Sequence, residues 1–497
     1  MTRIFLQALR LSTMLSRIPK PVMAAAVSVG AIALAYMAWS RPWYFTSQTY
    51  VGGLILLELV IAAIWKFRQV FFTVLILAFL LAGASLPGSS VWTSARWLFL
   101  GVGAAVGFLM LFKDHQHPFG IFHGVALFAV LAAAVSASVS RYPSFALLKV
   151  LSLFLLFLYA GSGARLAVKG REAGFFAGLL VGCEILVGVL AVCYLVLGTQ
   201  LVGNPNSLGA ILGVVVAPLL LWATFVAQDV STRRRRFFLF ALCLYLVFQS
   251  HSRASILAVA FSCGLLFVGL RKYRSLIVGV SVVLILVSIA AIFQPERLFE
   301  TASTVTSEVV YKGRIENGMF ESRHSPWEKA VDAIRSHFWF GTGFGTTDKG
   351  GDASQHLGNF SSSSVVSTEY GSSYLEILTW VGMLGVLPFF LLLVLLAGKV
   401  FRTMLWMLST GNASHPAIPL AIVVAGGILH AAFEDWLFAP GYYLCVFHWC
   451  MAFVLVDIAP VPGLMAPSLG RSRFSGLPRK VLDAGTRLPL RPPSAAS

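Results

Sequence analysis

The chain has 497 residues, of which 58% are hydrophobic and only 11% charged, and its mean hydropathy is +0.83. A soluble domain carries roughly 25% charged residues, so these proportions exclude a chain that covers itself against water and leave a bilayer as its solvent. The net charge of +17 does not point to nucleic acid, because the basic residues sit in short clusters between apolar runs, as Lys and Arg do when they fix membrane topology.

Residues 1–20 hold Arg3, Arg10, Arg17 and Lys20 and read as a basic cytoplasmic N-terminus. Many more spans follow, so an uncleaved first helix is favoured over a cleaved signal peptide. Apolar runs long enough for about 20 residues of membrane helix begin at once. They fall at 22–39, 51–65, 69–85, 97–112, 119–138, 145–161, 174–198, 208–228, 237–250, 254–270 and 275–293. Residues 21–293 are therefore expected to form about eleven transmembrane helices.

Residues 294–371 interrupt this pattern as one large polar loop, holding ten of the 20 acidic residues. Ser325-Pro326-Trp327-Glu328 predicts a capping box with Pro at the first helical position. Trp327, Ala330, Ile334 and Phe338 then recur at helical spacing, which predicts a short amphipathic helix. Gly341, Gly343 and Gly345 follow a helix rather than a strand, so they read as a helix stop and turn, not a nucleotide loop. Residues 372–458 supply three more spans, at 373–398, 417–433 and 441–458, and 459–497 reads as a disordered basic cytoplasmic tail. The fold class is an all-α polytopic membrane protein with about fourteen transmembrane helices and one large loop that contains short amphipathic helices. The six cysteines, Cys183, Cys193, Cys243, Cys263, Cys445 and Cys450, all fall in apolar runs and read as small core hydrophobes.

Charge then sets sidedness. Lys66 and Arg68, Lys113, Arg165 with Lys169 and Arg171, Arg233 to Arg236, Arg271 with Lys272 and Arg274, and Lys399 with Arg402 alternate with loops holding single arginines, such as Arg41, Arg96 and Arg141. The rule that cytoplasmic loops are the basic ones places both termini in the cytoplasm and the 294–371 loop on the outer face.

Three features share that expected outer face: the turn Gly203-Asn204-Pro205-Asn206, Arg253 at the mouth of a span, and the long loop. An arginine near hydrocarbon is costly, so Arg253 either clamps a diphosphate, which guanidinium matches bidentately, or snorkels to headgroups. The loop offers Lys312, Arg314, Arg323 and Arg335, with His324, His337 and His356. Taken singly, each is more often a solvated loop residue. Together they suit a glycosyl donor carried on a lipid diphosphate, whose departure needs cations and whose acceptor hydroxyl needs a base. Glu58, Lys149, Glu184 and Glu376 lie in or at the edge of spans and are candidates for an ion path. Glu434 and Asp435 end a span at the outer face and either serve the same site or pair with loop arginines. No His, Cys, Asp or Glu cluster has metal-ligand spacing, so neither metal nor cofactor is expected.

In this order the motifs resemble those of the bacterial O-antigen ligase and polysaccharide polymerase superfamily, over roughly residues 140–455. They are Gly203-Asn204-Pro205-Asn206-Ser207-Leu208-Gly209, Ser252-Arg253-Ala254-Ser255-Ile256-Leu257, Ser322-Arg323 with Trp327 and Ala330, Gly341-Thr342-Gly343-Phe344-Gly345, and Ser373-Tyr374-Leu375-Glu376 with Gly382 and Gly385, then Glu434. The resemblance implies a metal-independent glycosyltransferase of the C-type architecture, acting on an undecaprenyl-diphosphate-linked glycan. It also implies polysaccharide-export proteins as partners beside the bilayer. On it Arg253 and Arg323 hold the diphosphate with Arg314 and Lys312, and Asn204, Asn206, Tyr374 and Glu434 are further site candidates. One position departs from the ligase pattern: Gly371 stands where a His is expected. Glu369 and His356 are the substitutes for that base. The missing His tilts the reading toward a polymerase that joins lipid-linked repeats, with ligation to lipid A core as the alternative. A transporter or flippase is the third reading, disfavoured because no internal repeat is visible.

Overall fold

The computed structural model describes chiefly residues 68–84, 89–113, 119–199, 201–202, 205–293, 321–346 and 370–460. All regular structure among them is helical. The helices are α1 (Arg68–Ala82), α2 (Ser89–Lys113), α3 (Ile121–Ser138), α4 (Pro143–Val168), α5 (Glu172–Val196), α6 (Pro205–Val226), α7 (Val230–Gln249), α8 (Arg253–Gly269), α9 (Tyr273–Phe293), α10 (Glu321–Ser336), α11 (Ser373–Thr410), α12 (Ala417–His430) and α13 (Tyr443–Ile458). Twelve of these fall on apolar runs expected from the sequence; the expected spans at 22–39 and 51–65 and the tail beyond 460 lie outside the described residues. Among the described residues six helices are long and apolar enough to cross a membrane, namely most of α2 together with α3, α4, α5, α6 and α11.

Two compact units share these elements. The first comprises Met1–Val168, Ser322–Val394 and Ala431–Val454, and the second Lys169–Glu321, Leu395–His430 and Leu455–Ser497. In the first unit, α2 and α4 approach closely because small residues face each other. A Cβ on Gly107 would lie 2.6 Å from the backbone nitrogen of Gly163, the small-on-small contact by which membrane helices pack. A run of aromatic rings then crosses the unit: Phe157 on Trp449 (5.0 Å between centroids), Trp449 on Phe438 (5.7 Å), Phe438 on Phe389 (5.1 Å), and Phe344 on Trp380 (5.2 Å). The Trp449 indole donates to the Leu437 carbonyl at 2.7 Å, so its polar end is satisfied inside this apolar core.

In the second unit α6 is the central element and is nearly all buried. Asp229 caps α7 by accepting from the Thr232 backbone N–H at 2.8 Å, and that bond holds its carboxyl below the usual range. Glu184, an ion-path candidate on sequence grounds, is paired with Arg235 (3.1 Å) and Arg236 (3.2 Å) of α7. Its role in the fold is to tie α5 to α7.

Two expectations are corrected. The amphipathic helix of the loop begins at Glu321, so Pro326 sits inside α10 rather than at its first position. The run 373–398 is not one continuous span either. α11 is broken at Gly382, whose φ of 68° and ψ of −175° no other residue type adopts comfortably. The break leaves carbonyls at the end of one half-helix and amides at the start of the next, groups that have no intrahelical partner. The glycine-rich segment satisfies both. Thr342 and Gly343 donate to the Thr379 and Trp380 carbonyls (3.0 and 3.1 Å), while Met383 and Leu384 donate to the Phe338 and Trp339 carbonyls (2.8 and 3.2 Å). Gly341, Gly343 and Gly345, all with positive φ, thus form a plug in a discontinuous helix, which is more than the simple stop expected. Ser136 and Ser140 of the α3 end pin it, through the Trp380 carbonyl (2.6 Å) and the Thr342 carbonyl (3.0 Å).

Candidate functional site

Breaking α11 gives the first unit a short half-helix that starts at Ser373. Ser373 is held at its start by the 431–437 loop: its hydroxyl donates to the Glu434 carbonyl (2.7 Å) and accepts from the Trp436 and Leu437 amides (3.0 Å each). This fixes Glu434 and Asp435 beside the N-terminal turn that carries Tyr374 and Glu376.

Arg323, in the first turn of α10, reaches the same place. Its guanidinium donates to Glu434 Oε1 at 2.6 Å and to the Gly371 carbonyl at 3.3 Å, and the Gly371 amide donates to Asp435 Oδ2 at 3.3 Å. The two sequence candidates Arg323 and Glu434 are therefore brought together as an ion pair, each side chain 19% exposed. Gly371 sits between the arginine and Asp435 with φ of 64°, and a Cβ there would collide with the Arg323 guanidinium. That close approach explains why no His occupies the position: a side chain would be strained and would displace Arg323.

Next to this latch is a cavity of about 340 Å³ lined by four charged residues, Arg96, Lys149, Glu376 and Asp435. Phe344, Trp380 and Phe438 from the aromatic run line its apolar side, and the 439–442 turn lines the rest. Arg96 was expected in a short outer loop. It lies instead within α2, where its guanidinium donates to the Gly441 carbonyl at 2.7 Å and stacks near Phe79 and Trp97. The Lys149 stem packs on Gly345, whose missing side chain makes room for it: a Cβ there would lie 3.1 Å from Lys149 Cγ. Lys149 and Glu376 are close enough to interact electrostatically. Sequence reading flagged both as intramembrane charges but had no signal for their pairing or for Arg96, because the three positions are far apart in the chain.

The remaining candidates divide in two. Asn204, Lys312, Arg314, His356 and Glu369 lie outside the described residues. Arg253 and Asn206 belong to the second unit, where their motifs meet. A Cβ on Gly209 would lie 2.8 Å from Ser252 Cβ and 2.9 Å from Ser255 Oγ, so the start of α6 packs on the first turn of α8. Ser252 and Ser255 share a hydrogen bond of 2.8 Å, and Ser255 meets His430 Nε2 at 3.2 Å, all three being buried. Arg253, half-buried, projects from this braced turn. Among the described residues no group of three or more His, Cys, Asp and Glu is arranged to hold a metal.

Helices as the regular structure of the described residues, several of them apolar enough to cross a membrane, with charged residues lining a cavity among them, mark a membrane protein with a polar site. Residues 238–390 match the family model described as O-antigen ligase, and that domain supports the chain's place in the O-antigen ligase and polymerase superfamily. The matched stretch contains Arg253, Arg323, the glycine-rich plug and Glu376. No curated protein matches the chain.

Proposed function

We propose that this chain is an inner-membrane glycosyltransferase that polymerises undecaprenyl-diphosphate-linked oligosaccharide repeats into cell-surface polysaccharide at the periplasmic face. The observation that carries the reading is a charged cavity and an Arg323–Glu434 latch to which the stretch matching the O-antigen ligase model contributes Arg323 and Glu376, in a protein otherwise dominated by apolar helices. Such a reaction needs little from the protein beyond holding a lipid diphosphate, accepting its charge as it leaves, and activating a hydroxyl. Arg323 is a diphosphate contact on this reading, and Arg253 is a second, to be tested on its own. Removing one donor to a developing anion costs about 10²–10³ in turnover, so Arg253→Ala or Arg323→Ala should each abolish detectable transfer at unchanged expression.

Ligation of the glycan to lipid A core is the second reading, and the matching family model is compatible with either. The departure at Gly371 favours polymerisation. Surface-glycan profiling of a strain lacking the chain separates them. Single repeats still attached to lipid A, with long chains lost, indicate a polymerase. Loss of all attachment, with lipid-linked polymer accumulating, indicates a ligase. Unchanged glycans would refute both.

A further inference from the structure

We propose that Glu376 is the general base of the transfer, taking over in this chain the task for which position 371 offers no side chain. The inference rests on the glycosyl-transfer reading above and names a residue within that site. Three carboxylates at the latch and cavity come to be considered, and two of them hold the latch together. Glu434 is engaged by Arg323 at 2.6 Å. Asp435 accepts the Gly371 amide and so helps hold the loop. Glu376 lines the cavity itself, is only 3% exposed, and stands in the first turn of the half-helix that ends at the Gly382 break.

Three features suit Glu376 to the task. It stands in the N-terminal turn of the half-helix, an end whose dipole suits a carboxylate, and Lys149 is close enough to interact with it electrostatically. The cavity, about 340 Å³, has room for a sugar hydroxyl beside it, and Phe344 and Trp380 line its apolar side. Arg96 and Lys149 line the same cavity, so cationic groups are at hand where the leaving diphosphate gathers charge. In the step, the acceptor hydroxyl oxygen forms a bond to the anomeric carbon of the donor while its proton passes to the Glu376 carboxylate. The bond from that carbon to the diphosphate oxygen breaks, and undecaprenyl diphosphate leaves with the electron pair. The proton later returns to solvent, and no metal, oxidant or other reactant enters the balance.

The test uses the full chain purified in detergent, with undecaprenyl-diphosphate-linked repeat units extracted from a strain lacking it. If the wild type itself neither extends nor transfers these units, the functional reading fails and not this assignment. With active wild type, Glu376→Gln should lower kcat by about 10²–10⁴ while KM for the donor stays within threefold, and the acid limb of the pH–rate profile should vanish. Glu376→Asp should recover part of kcat and keep the acid limb. Lys149→Met should also slow transfer but leave that limb in place. The assignment is overturned if Glu376→Gln keeps kcat within threefold of wild type. It is equally overturned if both Glu376 variants lose donor binding together with turnover, since that marks a structural role.

Discussion

Gly382→Ala should separate the discontinuous helix from a continuous one more sharply than any other single change. At φ of 68° and ψ of −175° an alanine is strained by about 1–3 kcal/mol. Its Cβ would also lie 2.5 Å from the Gly341 amide nitrogen and from the Trp339 carbonyl carbon and oxygen. These are backbone atoms that cannot swing aside, so the plug must withdraw. Withdrawal weakens the two bonds that Met383 and Leu384 donate across the break, each contributing about 0.5–1.5 kcal/mol net. The expected destabilisation is roughly 2–6 kcal/mol. Gly398→Ala on the same helix is the control: open space surrounds that position, and alanine there should be neutral or stabilising by up to about 1 kcal/mol. Thermal unfolding of both variants in one detergent, followed by intrinsic fluorescence, reads the difference. Gly382→Ala should melt well below wild type and lose transfer with it, because Glu376 and Trp380 ride on the half-helix that the plug holds. If Gly382→Ala melts with Gly398→Ala, the broken-helix account is wrong.

The Arg323–Glu434 pair is partly shielded, so Arg323→Ala and Glu434→Ala should each destabilise, and a double-mutant cycle on melting should return a coupling of about 1 kcal/mol or more; additivity would show that the pair is incidental. Gly371→His restores the residue expected from the ligase pattern yet should reduce transfer, through left-handed strain of about 1–2 kcal/mol and displacement of Arg323. A rise in turnover for that variant would instead mean that the position is vacant for a base. Glu184→Gln should lower the melting temperature by loosening α5 from α7 while leaving transfer per folded molecule unchanged; lost transfer with intact folding would return Glu184 to the ion-path candidates.

Most helices of this chain were legible because an apolar run has one reading in a bilayer, and α3, α5, α6 and α8 lie within three residues of where such runs predict them, whereas α4 ends seven residues beyond its run and α7 begins seven residues ahead of its own. The break in α11 was not legible. Residues flanking Gly382 are as apolar as those of any unbroken span, and the groups that satisfy the break come from 338–343, forty residues earlier in the chain. The site was half legible. Arg323 and Glu434 could be named from sequence and their pairing offered as one of two outcomes, and Gly371 stood out as a departure, but its cause is the approach of Arg323, a tertiary fact. Arg96 was misplaced because Ser89 to Ala95 mixes polar and apolar residues and hides the start of α2. Lys149 and Glu376 were visible only as isolated charges, since what makes them a site is the cavity wall they share.

Outer-face access to the charged cavity is the claim on which the functional reading stands, and a single cysteine at Ala439 tests it most directly. Ala439 lines the cavity and is half-buried, and the six native cysteines can be replaced in the same construction of the variant. In intact cells with a permeabilised outer membrane, a charged maleimide that cannot cross the inner membrane should label Ala439→Cys, and added lipid-linked donor should protect it. Labelling that appears only once the inner membrane is opened would place the cavity on the cytoplasmic side and contradict the account.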